Sequence, residues 1–135
     1  MRENGPGGFA NVLRDSLKMV NAYLLKLHGH KEQAPGWPDF FVAHRRLPGG
    51  CWVEVKAGGG KLSPNQERVM RQLLLRGAYA VVAEEVGLML HVWQPGRETV
   101  CSCGVITGHA EPQLALDLLA GIDALYRPGA TGEET

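Results

Sequence analysis

The chain has 135 residues, 44% of them hydrophobic and 21% charged, with fourteen basic side chains balancing fourteen acidic ones. That length fits one globular domain of the usual ~100–150 residues, and the aliphatic content excludes a disordered chain. No apolar run approaches the roughly 20 residues of a membrane helix, no cationic-then-apolar leader opens the sequence, and three cysteines point to a reducing compartment, not a disulfide framework. The expected address is the cytoplasm, of its own cell or, for a phage-encoded protein, of the host. The charge balance hides an asymmetry. Residues 1–110 carry thirteen Lys and Arg against nine Asp and Glu, and residues 111–135 one against five. A mildly basic body with an acidic tail suits an anionic ligand, and equally a solvated terminus.

In chain order, residues 1–8 read as a flexible leader, 9–127 as one domain and 128–135 as a flexible tail. From Phe9 to Leu27, apolar residues recur at Val12, Leu13, Leu17, Val20, Leu24 and Leu27, the spacing of an amphipathic helix closed by Gly29. Pro35 and Pro38 forbid further helix. A hairpin is predicted next, with strands Asp39–Arg45 and Cys51–Ala57 joined by the turn Leu47-Pro48-Gly49-Gly50. Ser63 and Pro64 are an N-cap and first helical residue; Glu67 lies four residues after the cap, so a strict capping box is not expected. This helix runs to Arg76, burying Val69, Leu73, Met70 and Leu74, and Gly77 closes it. Strands follow over Ala78–Ala83, Leu88–Trp93 and Thr99–Ile106, then a helix over Pro112–Tyr126 with Leu114, Leu118 and Ile122 on one face. The order predicts a mixed α/β domain around one sheet.

The stretch Trp52-Val53-Glu54-Val55-Lys56 carries the chemistry. On a strand, Val53 and Val55 face the core while Trp52, Glu54 and Lys56 share the other side. With a four-residue turn, Asp39 falls opposite position 58, so a bulge or a bend at Pro38 is needed to bring it to Glu54. Two carboxylates suit a hard divalent ion such as Mg²⁺, which takes one or two acidic ligands plus waters and substrate oxygens. Asp39, Glu54 and the Val55 main-chain carbonyl would hold the ion. Lys56 would orient or help deprotonate the attacking water and oppose charge on a phosphate.

Gly36-Trp37-Pro38-Asp39, a strand ending Glu54-Val55-Lys56, the glycine link 58–60, Leu62-Ser63-Pro64-Asn65-Gln66 and Gly77 before an apolar strand occur here in one order. In these features, over residues 12–84, the sequence resembles the VRR-NUC branch of the PD-(D/E)XK nuclease superfamily. The resemblance implies a restriction-endonuclease-like αβββαβ core, a central mixed sheet flanked by helices, with a C-terminal β/α extension. It implies Mg²⁺-dependent cleavage of DNA, Mn²⁺ substituting, with Asp39, Glu54 and Lys56 in the roles above and Gln66 beside them. An acid of the first helix would add to metal binding, and Asp15 is preferred over Glu3. Stand-alone domains of this kind imply a homodimer acting on branched or Holliday-junction DNA. Two alternatives stay open: an inactive DNA-binding or assembly module, and a nuclease acting on RNA.

Lys61, Arg45, Arg46 and Arg68 are candidate contacts to the DNA backbone, with Arg71 and Arg76 extending the track. Trp37 either stacks on a base or packs under its loop. Cys101-x-Cys103 with His109 or His91 lacks the spacing of a four-ligand zinc site and reads as reduced strand cysteines. His28 and His30 suit the end of the first predicted helix. The apolar face of the last helix either completes the core or forms a dimer contact.

Overall fold

The computed structural model describes residues 8–27, 36–56, 62–84, 89–94, 97–102 and 109–126. Among the described residues, three helices, α1 (Phe9–Met19), α2 (Pro64–Leu75) and α3 (Pro112–Tyr126), accompany six strands. The strands are β1 (Tyr23–Lys26), β2 (Phe40–His44), β3 (Leu47–Lys56), β4 (Ala80–Glu84), β5 (Met89–Gln94) and β6 (Arg97–Ser102). They form one mixed open sheet in sequence order. β3 and β4 are parallel, with α2 crossing between them, and every other neighbouring pair is antiparallel.

Side chains alternate across the sheet. Val53 and Val55 of β3 and Val81 and Ala83 of β4 join Phe9, Leu13 and Leu17 of α1 and Leu118, Leu119 and Ile122 of α3 in the main core. Ala80 and Val82 face the other way, onto Met70 of α2 and beside Trp52 and Leu62. β4 is apolar on both faces because helices cover both. The apolar face of α3 completes the core, so it is not a surface for a second copy.

The helix expected over 9–27 ends at Met19, and the strand β1 occupies Tyr23–Lys26. Asn21 is the cause. It sits at φ 67, a left-handed conformation that asparagine tolerates, and the backbone N–H groups of Val20, Asn21 and Ala22 fold back onto the last turn. Beyond it, Leu24 is half-buried between the exposed Tyr23 and Leu25, a period of two. The turn expected at 47–50 is also displaced: Arg45 and Arg46 make the turn, and Leu47–Gly50 belong to β3.

This displacement sets the register. His44 faces Leu47, but Val42 faces Cys51, so β2 advances two residues while β3 advances four. A bulge containing Gly49 and Gly50, at φ 82 and 76, absorbs the difference. A Cβ on Gly50 would lie 2.9 Å from the Val42 carbonyl oxygen and against the Phe41 ring, so only glycine fits. Past the bulge Phe40 faces Val53, and continuing that register one step brings Asp39, just before the strand, level with Glu54.

Candidate active site

Asp39 leaves the buried Pro38 just before β2. Its Oδ2 accepts a hydrogen bond from the Val55 N–H at 2.7 Å, which fixes the carboxylate at the strand that carries Glu54. Glu54 is buried, with 3% of its surface exposed. Its Oε2 lies 3.4 Å from Lys56 Nζ and accepts a hydrogen bond from Gln66 Nε2 at 3.1 Å. The structure thus brings together Asp39, Glu54, Lys56 and Gln66, with Val55 between the two acids.

Gln66 has two tasks. The Ser63 side chain accepts a hydrogen bond from the Gln66 N–H at 3.1 Å, while Gln66 Oε1 accepts from the Ser63 N–H at 2.9 Å. This is a full capping box, contrary to the expectation; the third residue after the cap is Gln66, and glutamine serves as well as glutamate. The same Oε1 accepts from Lys56 Nζ at 3.1 Å. The cap of α2 therefore orients the amide between the amine and the carboxylate.

Other expected residues lie elsewhere. Asp15 is on the exposed face of α1, and among the described residues no three His, Cys, Asp or Glu side chains gather to hold a metal. Arg45 and Arg46 are exposed at the far end of the hairpin from Asp39, about 20 Å away at ~3.3 Å per strand residue. Arg68 is exposed on α2, its Nε 3.2 Å from Asn65 Oδ1. His109 is exposed. Lys61, Cys103, His28, His30 and the side chains of His91 and Cys101 lie outside the described residues.

Two residues near the cluster escaped the sequence reading. Arg14 is buried at 7% exposure, its guanidinium carbon 6.0 Å from the centre of the Phe40 ring. Nη2 donates to Asn11 Oδ1, and Nη1 is buried without a hydrogen-bond partner. Burial pushes this guanidinium below its ordinary value, while the charges of Asp39 and then Asp15 pull it back up. The available signal was Ala10, one turn earlier on the buried side of α1. Glu84 ends β4 at the register position of Lys56. A charge closing an apolar strand was its only mark.

The chemistry of this donor set would suit Mg²⁺. Two carboxylates and a main-chain carbonyl are hard oxygen donors, and an ion that keeps several waters needs no third acid. Fold and site define an open-sheet α/β protein with a buried carboxylate–amine pair and a second carboxylate at the adjoining strand. The chain matches no protein-family model, no curated protein and no solved structure.

Proposed function

We propose that the protein is a metal-dependent endonuclease of the PD-(D/E)XK type that hydrolyses phosphodiester bonds in DNA, with a restriction-endonuclease-like core and a resemblance to VRR-NUC domains. The observation that carries this reading is the register past the Gly49–Gly50 bulge, which sets Asp39 beside the buried Glu54–Lys56 pair. A buried ion pair is a poor way to stabilise a fold, because apolar residues of similar volume do as well or better. Its place beside another acid suits chemistry.

Asp39, Glu54 and the Val55 carbonyl would hold Mg²⁺, or Mn²⁺ in its stead. When bound, the ion acts as a Lewis acid on the phosphate and lowers the pKa of water. Lys56, its amine 3.4 Å from the Glu54 carboxylate, would position the attacking water and oppose the charge that develops on phosphorus. Gln66 holds the Lys56 amine and the Glu54 carboxylate in fixed orientation, so neither must reorganise during the reaction. Val55 fixes Asp39 through its N–H. Branched DNA such as a Holliday junction is the preferred substrate, and a homodimer would place two such sites on its paired strands. Among the described residues, no helix is long and apolar enough to cross a membrane.

The test is incubation with Mg²⁺ and a panel of duplex, flap, four-way-junction and RNA substrates, with the oligomeric state measured in solution. At least one DNA form is cleaved, and cleavage is abolished by EDTA and by Glu54→Gln. Retention of full activity in Lys56→Ala would contradict the role given to the amine.

A further inference from the structure

A cavity of about 430 Å³ lies along α2, lined by Trp37, Arg68, Val69, Gln72, Leu73 and Arg76. Its composition is unlike that of a core gap. Val69 is buried and Leu73 half-buried, giving an apolar floor, while Arg68, Gln72 and Arg76 are exposed around it. Trp37 keeps 40% of its surface exposed although it belongs to a local row of aromatic rings. Its ring meets Trp52 edge-on at 5.2 Å, and Trp52 meets Phe41 in the same way at 4.9 Å.

The indole is held in this position. Gly36, at φ +81, packs so closely on α2 that a Cβ there would lie 2.7 Å from the Asn65 carbonyl oxygen. Asn65 in turn anchors Arg68 through its side-chain oxygen. Arg76 Nη1 donates to the Gln72 carbonyl oxygen at 3.2 Å and to the Gln72 side chain. Aromatic ring, floor and two cations are thus oriented before any ligand arrives.

We propose that this cavity binds one unpaired nucleobase of the DNA substrate, with the base against Trp37 and the flanking phosphates near Arg68 and Arg76. Charge and shape both favour this occupant: a flat apolar ring needs an aromatic partner and a floor, and the strand that carries it is a polyanion. Trp37 lies two residues before Asp39, so the pocket adjoins the segment that carries one of the two acids. The inference rests on the nuclease reading and extends it. It predicts that, among branched forms, those with an unpaired nucleotide are preferred, through a contact that intact duplex cannot make without flipping a base, at a cost of unstacking.

The experiment measures binding, not cleavage, on the full chain with Ca²⁺ in place of Mg²⁺. Fluorescence anisotropy compares a blunt duplex with the same duplex bearing a short single-stranded branch. Trp37→Ala weakens binding of the branched form at least fivefold, as expected for a stacked base, and leaves the blunt duplex unchanged. Gln72→Trp, which fills the cavity from an exposed position and spares the Trp37–Trp52 contact, gives the same selective loss. Replacing one branch base by an abasic residue reproduces that loss in the wild type and adds nothing in Trp37→Ala. Equal losses on both DNA forms, or indifference to the abasic residue at every branch position, would overturn the inference and leave the nuclease reading intact. No binding of any DNA form by the wild type would overturn both.

Discussion

The side-chain oxygen of Gln66 accepts the Lys56 ammonium at 3.1 Å, and the same oxygen caps the backbone N–H of Ser63 at 2.9 Å. Helix stability and site geometry therefore share one atom. Gln66→Ala removes the reciprocal half of the capping box and should cost about 1 kcal/mol of stability, read by urea unfolding. Cleavage should fall by more than this loss explains, because Lys56 and Glu54 lose their common partner. Gln66→Glu separates the two effects. It keeps an oxygen for Ser63 and Lys56 but sets a second anion against the buried Glu54, so it should lose most of the cleavage with the helix cap intact.

Arg14 should act against metal binding. Its guanidinium is buried beside Phe40 with Nη1 unpartnered, and the charge of Asp39 acts on it. If Asp39 holds a metal as proposed, a fixed cation acting on the same carboxylate repels that ion. Arg14→Met keeps the packing and removes the charge. Calorimetric titration with Mn²⁺ should show several-fold tighter binding, and stability should rise by about 1 kcal/mol, since an incompletely paired buried charge is replaced by an apolar chain. A fall of some 3 kcal/mol would instead mean that Arg14 and Asp39 depend on each other for folding.

Tyr126 gives the fold an alkaline limit. Its hydroxyl donates to the Ala80 carbonyl at 2.7 Å and accepts from the Ala80 N–H at 3.0 Å, while its ring stacks on Tyr79 at 4.1 Å. Burial pushes the phenol well above its ordinary value of 10.0; the Cys51 and Tyr79 charges add to that, and the hydrogen bond to Ala80 opposes it. A group raised in the folded state contributes stability below its unfolded pKa and loses it as pH rises further. Stability should therefore be flat near neutrality and fall above pH ~10. Buried Cys51, raised from 9.0 by burial, adds to the fall from a slightly lower pH. Tyr126→Phe should cost about 1–3 kcal/mol at pH 7, because two backbone groups of Ala80 lose their partner. It should also make the alkaline fall shallower, as followed by thermal unfolding from pH 7 to 11.

The local pattern of the candidate site was more legible in the sequence than the register that assembles it. Alternation placed Glu54 and Lys56 together opposite Val53 and Val55, and Ser63-Pro64 marked the start of α2. Both are local signals, carried by residues a few positions apart. The register was not local. Pro48-Gly49-Gly50 resembles a hairpin turn, and the two left-handed glycines serve equally well as a bulge within a strand. Only the pairing of β2 with β3 distinguishes the two, and it moves Asp39 from opposite position 58 to opposite Glu54. The stretch 20–27 failed for a related reason. Leu24 satisfies both a helical and a two-residue period, and Asn21 alone decides between them. Arg14 was missed because a charged residue on a helix is ordinarily solvated.

Gly36 should be the most sensitive position outside the reacting groups. It holds φ +81, and a Cβ would lie 2.7 Å from the Asn65 carbonyl oxygen and 2.9 Å from its carbonyl carbon. These are backbone atoms in the first turn of α2, so relief requires the segment 36–39 to lift from the helix or the helix to shift. Either movement would pull Asp39 away from the Val55 N–H that fixes its carboxylate at β3. Gly36→Ala should cost about 2–3 kcal/mol from left-handed strain and overlap together. Cleavage should fall far more steeply than the folded fraction, because misplacing a catalytic group by about 1 Å costs on the order of a hundredfold. Gly77→Ala is the control. It carries the same left-handed strain, at φ +84, but nothing lies within 4 Å of its Cβ. It should lose about 1 kcal/mol and keep its activity per folded molecule. Equal activity losses in the two variants would show that the contact between Gly36 and Asn65 does not position the site.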